Sequence, residues 1–451
     1  MRAAPPDLPG AQTTDSPIDR ALSLLLANEV EAALRWSAAV VERDGSIPSG
    51  LVITCRLLAQ MGRTEAAVDG FRLAVRRAID AGNLPLAIAA LGDLRALRVD
   101  LEESLDQVAS AFCAGSPRIE EAAAPPPPVA DFADFQPLSS LLTGPALSSK
   151  ATQIVRAAAR QFEDASGAVP LVAPLPLFSA LSKPALRDLI LAFKMRTVSS
   201  EYAVIEQGDD GTDAYIVARG EVEVRRRAVD EGGRPIVLAR LQSGALFGEM
   251  TLLSRAPRAA SVVTTRPSIL LVATREALEA IADAHAEVGT ELAAHCRRRM
   301  VTNLVRTSPV LSAFPVEERA KFVERFQTRL FEKGDRLVSQ GDAPRGVHII
   351  VSGEVSVVAR DAGESTVLAT LGAGETVGEV ALVLRRPANA DVIALHPTVT
   401  LFLPHDDFLS LVSDYPAILH GLYMTAVRRD DETTMALRSS LAPLADDYVL
   451  I

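Results

Sequence analysis

The stretch of sequence that decides the fold occurs twice in the chain. IEQGDDGTDAYIVARGEVEVRRR at residues 205–227 aligns without gaps with VSQGDAPRGVHIIVSGEVSVVAR at residues 338–360, an offset of 133 positions. Downstream, LARLQSGALFGEM from Leu238 matches LATLGAGETVGEV from Leu368 at an offset of 130, because the first copy has three extra residues near 230–234. One domain of about 130 residues is therefore duplicated.

Each copy has the pattern of short antiparallel strands. Polar and apolar residues alternate from Glu221 to Val224, which is typical of a strand with one buried face. Glycines such as Gly208 and Gly220 separate the apolar runs and indicate tight turns. Helical patterns flank the first copy, the second of them at 274–305. We therefore expect a β-roll of the jelly-roll type with helices before and after it.

The residues before the duplication predict helices. Apolar residues recur at three- and four-residue spacing from 17 to 112. NEVEAALRW at 28–36 realigns with GRTEAAVDG at 62–70 at an offset of 34, the period of tetratricopeptide repeats, and the segment resembles that family in its small residues. An alanine-rich helical bundle that repeats by chance is the alternative. In both cases a helix stack offers a surface on which a partner or a second copy can dock.

These patterns predict a multidomain α+β chain, a tetratricopeptide-like α-helical region followed by two β-rolls. The predicted segments are a disordered leader at 1–16, a docking region at 17–114, a Pro-rich linker with a short helix (149–163) at 115–173, the first roll at 174–307, the second roll at 308–440 and a tail at 441–451. We call the two domains roll 1 and roll 2. The Pro run of the linker favours extended polyproline geometry.

Composition excludes several classes of protein. The 451 residues are 48% hydrophobic and 23% charged, so neither wholesale disorder nor a fibrous repeat fits. A net charge of −11 disfavours non-specific binding to nucleic acid or anionic lipid. The three cysteines are far apart, and no secretory signal or run of about 18 apolar residues is present. We expect a soluble cytoplasmic protein with no nucleic-acid or membrane partner.

One loop of roll 1 carries a family resemblance. FGEMTLLSRAPRAASV at 247–262 resembles the phosphate-binding cassette of the cyclic-nucleotide-binding domain family, found in catabolite activator proteins and in regulatory subunits of cyclic-AMP-dependent protein kinase. The resemblance covers roughly 175–440, both copies. It implies a ligand, a cyclic mononucleotide, and no other cofactor. The ligand site implied in roll 1 consists of Phe247, Gly248, Glu249, Met250, Arg258, Ala259 and Ala260.

The chemistry of these residue types agrees with the resemblance. Gly248 allows the backbone to approach a phosphate, and a short helix from Glu249 would direct N–H groups at its oxygens. Arg258 can add a charge-assisted hydrogen bond. The resemblance implies that Glu249 binds the ribose 2′-OH, and that Ala259, where cyclic-GMP-selective members carry Thr or Ser, favours cyclic AMP while leaving cyclic GMP open. The alternative is a surface ion pair between Arg258 and Glu249 in an empty roll.

Roll 2 departs from this pattern at the decisive position. It keeps Gly378, Glu379 and Val380 as a weaker candidate site, but Ala388 stands where roll 1 has Arg258. Loss of a hydrogen bond to a charged group costs roughly 1.5–3 kcal/mol, about 10- to 100-fold in affinity. A shifted loop could bring in Arg385 or Arg386. Otherwise the copy serves packing or dimer contacts, or binds a different ligand.

The remaining motifs indicate a regulatory protein that is not an enzyme. The sequence after roll 2 has no helix-turn-helix pattern, the linker has no Arg-Arg-x-Ser/Ala inhibitor segment, and P-loop, HExxH and GxSxG motifs are absent. Six scattered histidines give no metal site, and RRRM at 297–300 is interpreted as a solvated helix face. We expect a cyclic-nucleotide sensor that signals through a protein partner, or through self-association, at 17–112. A scaffold that binds no nucleotide and a catalytic partner supplied in trans are the alternatives.

Overall fold

The computed structural model describes most of the chain. The described residues are 16–120, 135–164, 170–226, 235–250, 257–307, 325–361, 364–414, 423, 426–427 and 429–431. Most of the predicted leader, the Pro run of the linker, the loop at 230–234 and the predicted tail lie outside them. The chain forms two compact units. The first consists of Met1–Val204, Ala214–Phe247 and Val262–Glu291, and the second of Ile205–Asp213, Gly248–Ser261 and Leu292–Ile451.

The first half of the chain is helical, as the apolar spacing predicts. Its helices are α1 (Pro17–Leu26), α2 (Val30–Arg43), α3 (Pro48–Gln60), α4 (Thr64–Asp80), α5 (Leu84–Ala96), α6 (Glu102–Phe112), α7 (Gly144–Asp164) and α8 (Lys183–Ala192). The start of α1 shows why the chain turns into helix here. Ser16 caps the helix by accepting a hydrogen bond from the Asp19 amide at 3.1 Å, and Pro17 occupies the first turn.

The 34-residue offset in the sequence has a structural counterpart. Helices α2 and α4 begin 34 residues apart, at Val30 and Thr64. Each follows a residue in the left-handed region, Asn28 with φ 61° and Gly62 with φ 77°. The helical region is thus confirmed, whereas its membership of the tetratricopeptide family stays a prediction.

The helix expected inside the linker is longer than predicted and is part of the helical region. It covers 21 residues as α7 rather than 149–163, and it packs against α2, α3 and α4. Close approach depends on Gly70 in α4, where a Cβ would lie 2.3 Å from Cys55 Sγ and 2.8 Å from Val155 Cγ1. The apolar spacing of α7 was visible in the sequence, but its packing partners were not.

Roll 1 has two four-stranded sheets, with strand orders β1-β8-β3-β6 and β2-β7-β4-β5. The strands are β1 (Lys194–Val198), β2 (Ala203–Ile205), β3 (Asp213–Arg219), β4 (Glu221–Arg226), β5 (Ile236–Gln242), β6 (Leu246–Phe247), β7 (Ser261–Thr264) and β8 (Ser268–Thr274). The helices α9 (Arg275–Ala284) and α10 (Ala286–Thr307) follow. The single helix predicted at 274–305 is therefore divided at His285, whose φ of −135° and ψ of 88° are not helical.

Roll 2 repeats this topology strand for strand. Its sheets have the orders β9-β16-β11-β14 and β10-β15-β12-β13. The elements are β9 (Gln327–Phe331), β10 (Arg336–Val338), β11 (Gly346–Ser352), β12 (Val355–Asp361), β13 (Glu364–Leu371), β14 (Thr376–Val377), α11 (Glu379–Val383), β15 (Asp391–Ala394), β16 (Thr398–Pro404) and α12 (His405–Asp414). The core of this roll includes Ile350, Val355, Leu371, Val377 and Val392. The predicted duplication of a β-roll with flanking helices is confirmed.

Within the first unit, the helical region packs directly on roll 1. Asp19 of α1 is only 3% exposed, and its Oδ1 lies 2.6 Å from Nη2 of Arg219 at the end of β3. Arg95 of α5 donates hydrogen bonds of 2.8 and 3.0 Å to the carbonyls of Leu191 and Phe193, just before β1. These contacts join residues about 100 to 200 positions apart, so the sequence pattern could not reveal them.

Candidate functional site

The cassette of roll 1 is held in place by the tight turn predicted at Gly208, within the sequence QGD at 207–209. The Gly208 amide donates to the Arg258 carbonyl at 2.9 Å, and the Arg258 amide donates to the Asp209 carbonyl at 2.8 Å. The Gln207 amide donates to Ser261 Oγ at 3.0 Å. Three hydrogen bonds thus fix the backbone on both sides of Arg258.

The guanidinium of Arg258 is buried and oriented by backbone carbonyls. Arg258 is only 6% exposed. Nη1 donates to the Gly248 carbonyl at 2.7 Å, and Nη2 donates to the Asp213 carbonyl at 2.8 Å. Because Glu249 is also buried, at 2% exposure, the alternative of a surface ion pair between these two residues is wrong.

Two glycines make room for this guanidinium. Gly248 has φ 76°, a left-handed conformation that other residues rarely adopt, and a Cβ there would lie 2.9 Å from Arg258 Nη1. At Gly211 a Cβ would lie 1.9 Å from Arg258 Nε and 2.2 Å from Cζ. Gly211 was not among the predicted site residues. Its contribution is the space it leaves, which a search for reactive side chains overlooks.

The carboxylate of Glu249 has a cationic partner from α10. Its Oε1 lies 3.4 Å from Nε of Arg299. Burial raises the pKa of Glu249, while the charge of Arg299 and then that of Arg258 oppose the rise. Cys296, one turn before Arg299, lies with Sγ 3.8 Å from the Glu249 carbonyl. The interpretation of RRRM as a solvated face is therefore wrong for Arg299.

The other predicted site residues of roll 1 differ in their burial. Phe247 is in β6, where its ring is 3% exposed and stacks on Tyr215 with centroids 5.2 Å apart. Met250 and Ala260 are half-buried, and Ala259 is exposed. The short helix predicted from Glu249 falls mostly on residues 251–256, outside the described part of the chain. The structure thus brings Gly248, Glu249 and Arg258 together and places the Phe247 side chain in the hydrophobic core.

Roll 2 keeps the same backbone frame. The Gly341 amide donates to the Ala388 carbonyl at 2.8 Å, and the Ala388 amide donates to the Asp342 carbonyl at 2.9 Å. The Gln340 amide donates to Asp391 Oδ1 at 2.9 Å, so this aspartate replaces the serine of roll 1 as the acceptor for the turn. The two backbone hydrogen bonds that frame the cassette position are thus the same with alanine as with arginine.

Neither arginine near the roll 2 cassette replaces Arg258. Arg385 and Arg386 are both exposed, and Arg386 forms an ion pair with Asp430. Asp430 also accepts from Asn389 Nδ2 at 3.2 Å. In the described structure, the Arg386 side chain is thus paired with Asp430, which lies in the helical residues 429–431.

The carboxylate of the roll 2 cassette is paired in the same way as that of roll 1. Gly378, with φ 87°, precedes Glu379, which is 1% exposed. Arg429 donates to Glu379 Oε1 and to the Thr376 carbonyl, and its Nη2 lies 3.4 Å from Glu375 Oε1. Val380 is half-buried beside them. Burial raises the pKa of Glu379, and Arg429 opposes the rise.

Arg299 and Arg429 are the functional residues that sequence reasoning missed, although a signal was present. The pairs Glu249–Arg299 and Glu379–Arg429 are each 50 residues apart, and the two pairs are related by the same 130-residue offset as the cassettes. Extending the internal alignment past β16 would have matched Arg298 and Arg299 to Arg428 and Arg429. The duplication therefore includes the helix that follows each roll.

Two searches limited to the described residues concern other kinds of site. No group of three or more His, Cys, Asp or Glu side chains in the described part of the chain is arranged to hold a metal ion. None of the helices described here is both long and apolar enough to cross a membrane.

Comparison with known proteins shows what the two rolls are similar to. Residues 195–285 and 328–415 each match the cyclic nucleotide-binding domain family. The chain is 32% identical over 236 residues to the cAMP-dependent protein kinase regulatory subunit of Yarrowia lipolytica, covering 52% of this chain and 58% of that protein. It is 29% identical over 227 residues to the cAMP-dependent protein kinase type II regulatory subunit of Drosophila melanogaster, covering 50% and 56%. The chain spans roughly half the length of these curated relatives.

Solved structures give similar matches. The regulatory domain of Toxoplasma gondii PKA with cAMP has 27% identity and a TM-score of 0.27, over 56% of this chain and 92% of that one. The catabolite activator protein of Thermus thermophilus has 30% identity and a TM-score of 0.27, over 30% and 63%. Rolls 1 and 2 are thus each similar to the cyclic nucleotide-binding domain family, and together they resemble the tandem domains of cAMP-dependent protein kinase regulatory subunits.

Proposed function

We propose that the protein is a cyclic-nucleotide sensor whose roll 1 binds cyclic AMP. The observation that supports this most directly is the buried Arg258, oriented by the carbonyls of Gly248 and Asp213. A buried guanidinium next to a glycine that exposes its backbone suits a singly charged cyclic phosphate. The names of the curated relatives, regulatory subunits of cAMP-dependent kinases, favour cyclic AMP over cyclic GMP.

In this proposal Glu249 couples the ligand to the helix that follows roll 1. A ribose hydroxyl that donates to Glu249 competes with Arg299, whose Nε lies 3.4 Å from Oε1. Ligand binding therefore weakens a contact that holds α10, and it orders the cassette. Two states of the helix then differ in their affinity for the ligand. We propose that α9 and α10 transmit the signal by closing over the base.

The output is proposed to be regulatory and non-catalytic, through a protein partner or a second copy. The helical region at 17–112 is the proposed docking module, of tetratricopeptide-like type, and the 34-residue spacing of α2 and α4 supports this assignment. We place the protein in the cytoplasm, where the free, buried thiols of Cys55, Cys113 and Cys296 fit a reducing compartment.

Titration calorimetry with the full chain tests the ligand. We expect wild type to bind cyclic AMP more tightly than cyclic GMP, and Arg258→Ala to weaken cyclic AMP about 10- to 100-fold, since a charge-assisted hydrogen bond contributes roughly 1.5–3 kcal/mol. Arg386→Ala is the matched control, because this arginine is exposed and paired with Asp430. It should leave cyclic AMP affinity unchanged.

The main rival is a scaffold whose rolls bind no nucleotide. Absence of binding by wild type with cyclic AMP, cyclic GMP and cyclic dinucleotides would favour this rival. Cross-linking mass spectrometry on the full chain tests the docking module separately. Cross-links from a partner should map to 17–112, and a partner whose cross-links map only to the rolls would contradict the proposed docking role.

A further inference from the structure

Residues 135–164, which we call the strap, lie in a groove of the helical region. The strap ends in α7, which packs against α2, α3 and α4, and these three helices line the groove. The contact is close at two glycines. A Cβ on Gly45 would lie 2.8 Å from Ala158 Cβ, and a Cβ on Gly70 would lie 2.8 Å from Val155 Cγ1. The groove therefore accepts a helix only where neither partner has a larger side chain at these points.

Charged and aromatic side chains fix the position of the strap along the groove. On the α2 side, Lys150 Nζ lies 2.6 Å from Glu42 Oε1. On the α4 side, the guanidinium carbons of Arg76 and Arg77 lie 4.9 and 4.6 Å from the centroid of the Phe162 ring. An occupant of the groove therefore needs a base near Glu42 and a ring near the two arginines.

The chain leaves for the strap and returns from it at one place. The Glu120 amide donates to the Val172 carbonyl at 3.1 Å, and the Val172 amide donates to the Arg118 carbonyl at 2.8 Å. Arg118 Nε also donates to the Pro170 carbonyl at 3.2 Å, and Arg118 Nη2 lies 2.8 Å from Asp80 Oδ1 of α4. Because these bonds join the two ends, release of the strap does not require movement of the six helices before it.

The strap is a tethered occupant whose own contacts are modest. The side chains of Lys150 and Glu42 are 40% and 44% exposed, and ion pairs at such exposure contribute little. A segment held on the same chain nevertheless acts at an effective concentration on the order of millimolar. The tether therefore keeps the groove filled against a free helix of comparable fit.

We propose that the groove is a docking site for an amphipathic helix of a partner protein, and that the strap keeps this site closed until it is displaced. The partner helix has small side chains where α7 has Ala151 and Ala158, and it has a lysine or arginine that faces Glu42. This inference rests on the proposed docking role of 17–112, to which it adds a defined surface and its regulation.

The only tryptophan of the sequence reports whether the strap is in place. Trp36 of α2 stacks on Phe135 of the strap, with ring centroids 5.8 Å apart. Ala158→Arg places a long side chain against Gly45 and should release the strap, so the fluorescence of Trp36 in the full chain should shift to longer wavelength. Gln153→Arg is the matched control, because Gln153 is exposed on the same helix, and it should leave the emission unchanged.

A synthetic peptide with the sequence of residues 135–164 is the probe for the groove. In calorimetry, full-length Ala158→Arg should bind this peptide about tenfold or more tightly than wild type does, because the strap of the variant no longer competes. Peptide binding should also reverse the shift in Trp36 emission. Peptide binding to wild type as tight as to Ala158→Arg would show that the strap does not close the groove, and would overturn the proposal.

A second variant guards against misfolding of Ala158→Arg. In it a short Gly-Ser linker replaces residues 121–171, whose flanking residues are already joined by hydrogen bonds. It should bind the peptide at one site, and adding Gly45→Leu should weaken that binding about tenfold by filling the contact point of Ala158. Absence of peptide binding by both strap variants, or binding that Gly45→Leu does not change, would contradict the proposal.

These measurements separate the groove from the proposed docking role. Peptide binding needs no natural partner, so it can succeed even where the cross-links of a partner map outside 17–112. In that case the docking role fails while the groove and its strap remain. Conversely, a partner that cross-links to 17–112 of a protein whose groove takes no peptide would refute only the inference drawn here.

Discussion

In roll 1, Gly211 lies against the guanidinium of Arg258, whereas the aligned positions of roll 2 hold Pro344 and Ala388. The two changes are related. A Cβ at position 211 would overlap the arginine, with 1.9 Å to Nε, so this loop tolerates a larger residue only where the arginine has gone. The backbone hydrogen bonds of the two cassettes agree within about 0.1 Å. The comparison shows that the side chain at the centre of the cassette can change while the backbone frame around it stays constant.

The largest expected effect is on stability and concerns Arg299 and Arg429, the arginines that pair with the cassette glutamates in the two rolls. Arg429→Ala leaves the buried Glu379 without its ionic partner and should lower the free energy of unfolding by about 3 kcal/mol. Arg299→Ala should cost less, since its Nε lies 3.4 Å from Glu249 Oε1, farther than Arg429 Nη1 lies from Glu379 Oε1. Urea unfolding of the full chain measures both, with the exposed Arg297→Ala as control. A larger cost at Arg299 would contradict the comparison.

The second prediction rebuilds the roll 1 site in roll 2. In an Arg258→Ala background, the double variant Ala388→Arg with Pro344→Gly should bind cyclic AMP about 10- to 100-fold more tightly than the parent. Ala388→Arg alone should gain much less, because position 344 aligns with Gly211, where a Cβ would lie 1.9 Å from Arg258 Nε. Calorimetry distinguishes the two, and equal gains by the single and double variants would disprove the link between these positions.

The third prediction uses His348, which stands where roll 1 has Tyr215. His348 is buried, its Nδ1 lies 2.9 Å from Thr400 Oγ1, and burial lowers the pKa of His348 to about 4. As the pH falls, the imidazole is therefore protonated in the unfolded chain before it is protonated in the folded chain. The contribution of His348 to the free energy of unfolding is fully present above about pH 6.5 and decreases as the pH falls toward 4. We expect a loss of roughly 2 kcal/mol between pH 7.5 and 5 from this group.

His348→Tyr provides the comparison for that measurement. It installs the roll 1 residue and should remove this part of the pH dependence in urea unfolding. His396→Tyr is a control at an exposed histidine, whereas His348 is buried against Thr400. Identical pH slopes for wild type and His348→Tyr would show that His348 titrates as an ordinary histidine.

The smallest expected effect is at Gly211. Gly211→Ala should weaken cyclic AMP binding to roll 1 about tenfold, close to 1.4 kcal/mol, by displacing the Arg258 guanidinium. Gly211 is outside the left-handed region, so stability should change little. Gly372→Ala is the matched control, because a Cβ there meets no atom within 4 Å. A loss of stability without a loss of affinity would mean that Gly211 serves the fold alone.

The features that occur in both rolls could be predicted from the sequence. Two rolls, the glycines at 248 and 378 and the exchange of Arg258 for Ala388 all follow from one internal alignment. The pairing of Arg299 with Glu249 was missed because a run of arginines on a helix is usually solvated, and only the structure shows that one of them lies against a buried carboxylate. The contact of Asp19 with Arg219 joins residues 200 positions apart. An aspartate and an arginine are usually exposed, so nothing in the sequence pattern predicts that these two form a pair.

The Pro344 loop has a consequence for how the two copies diverged. In roll 1 a Cβ at position 211 would lie 1.9 Å from Arg258 Nε, so an arginine in the cassette requires glycine at this loop position, whereas an alanine does not. The two positions are therefore expected to change together. A single reversion at 388 is expected not to restore the site unless position 344 changes as well.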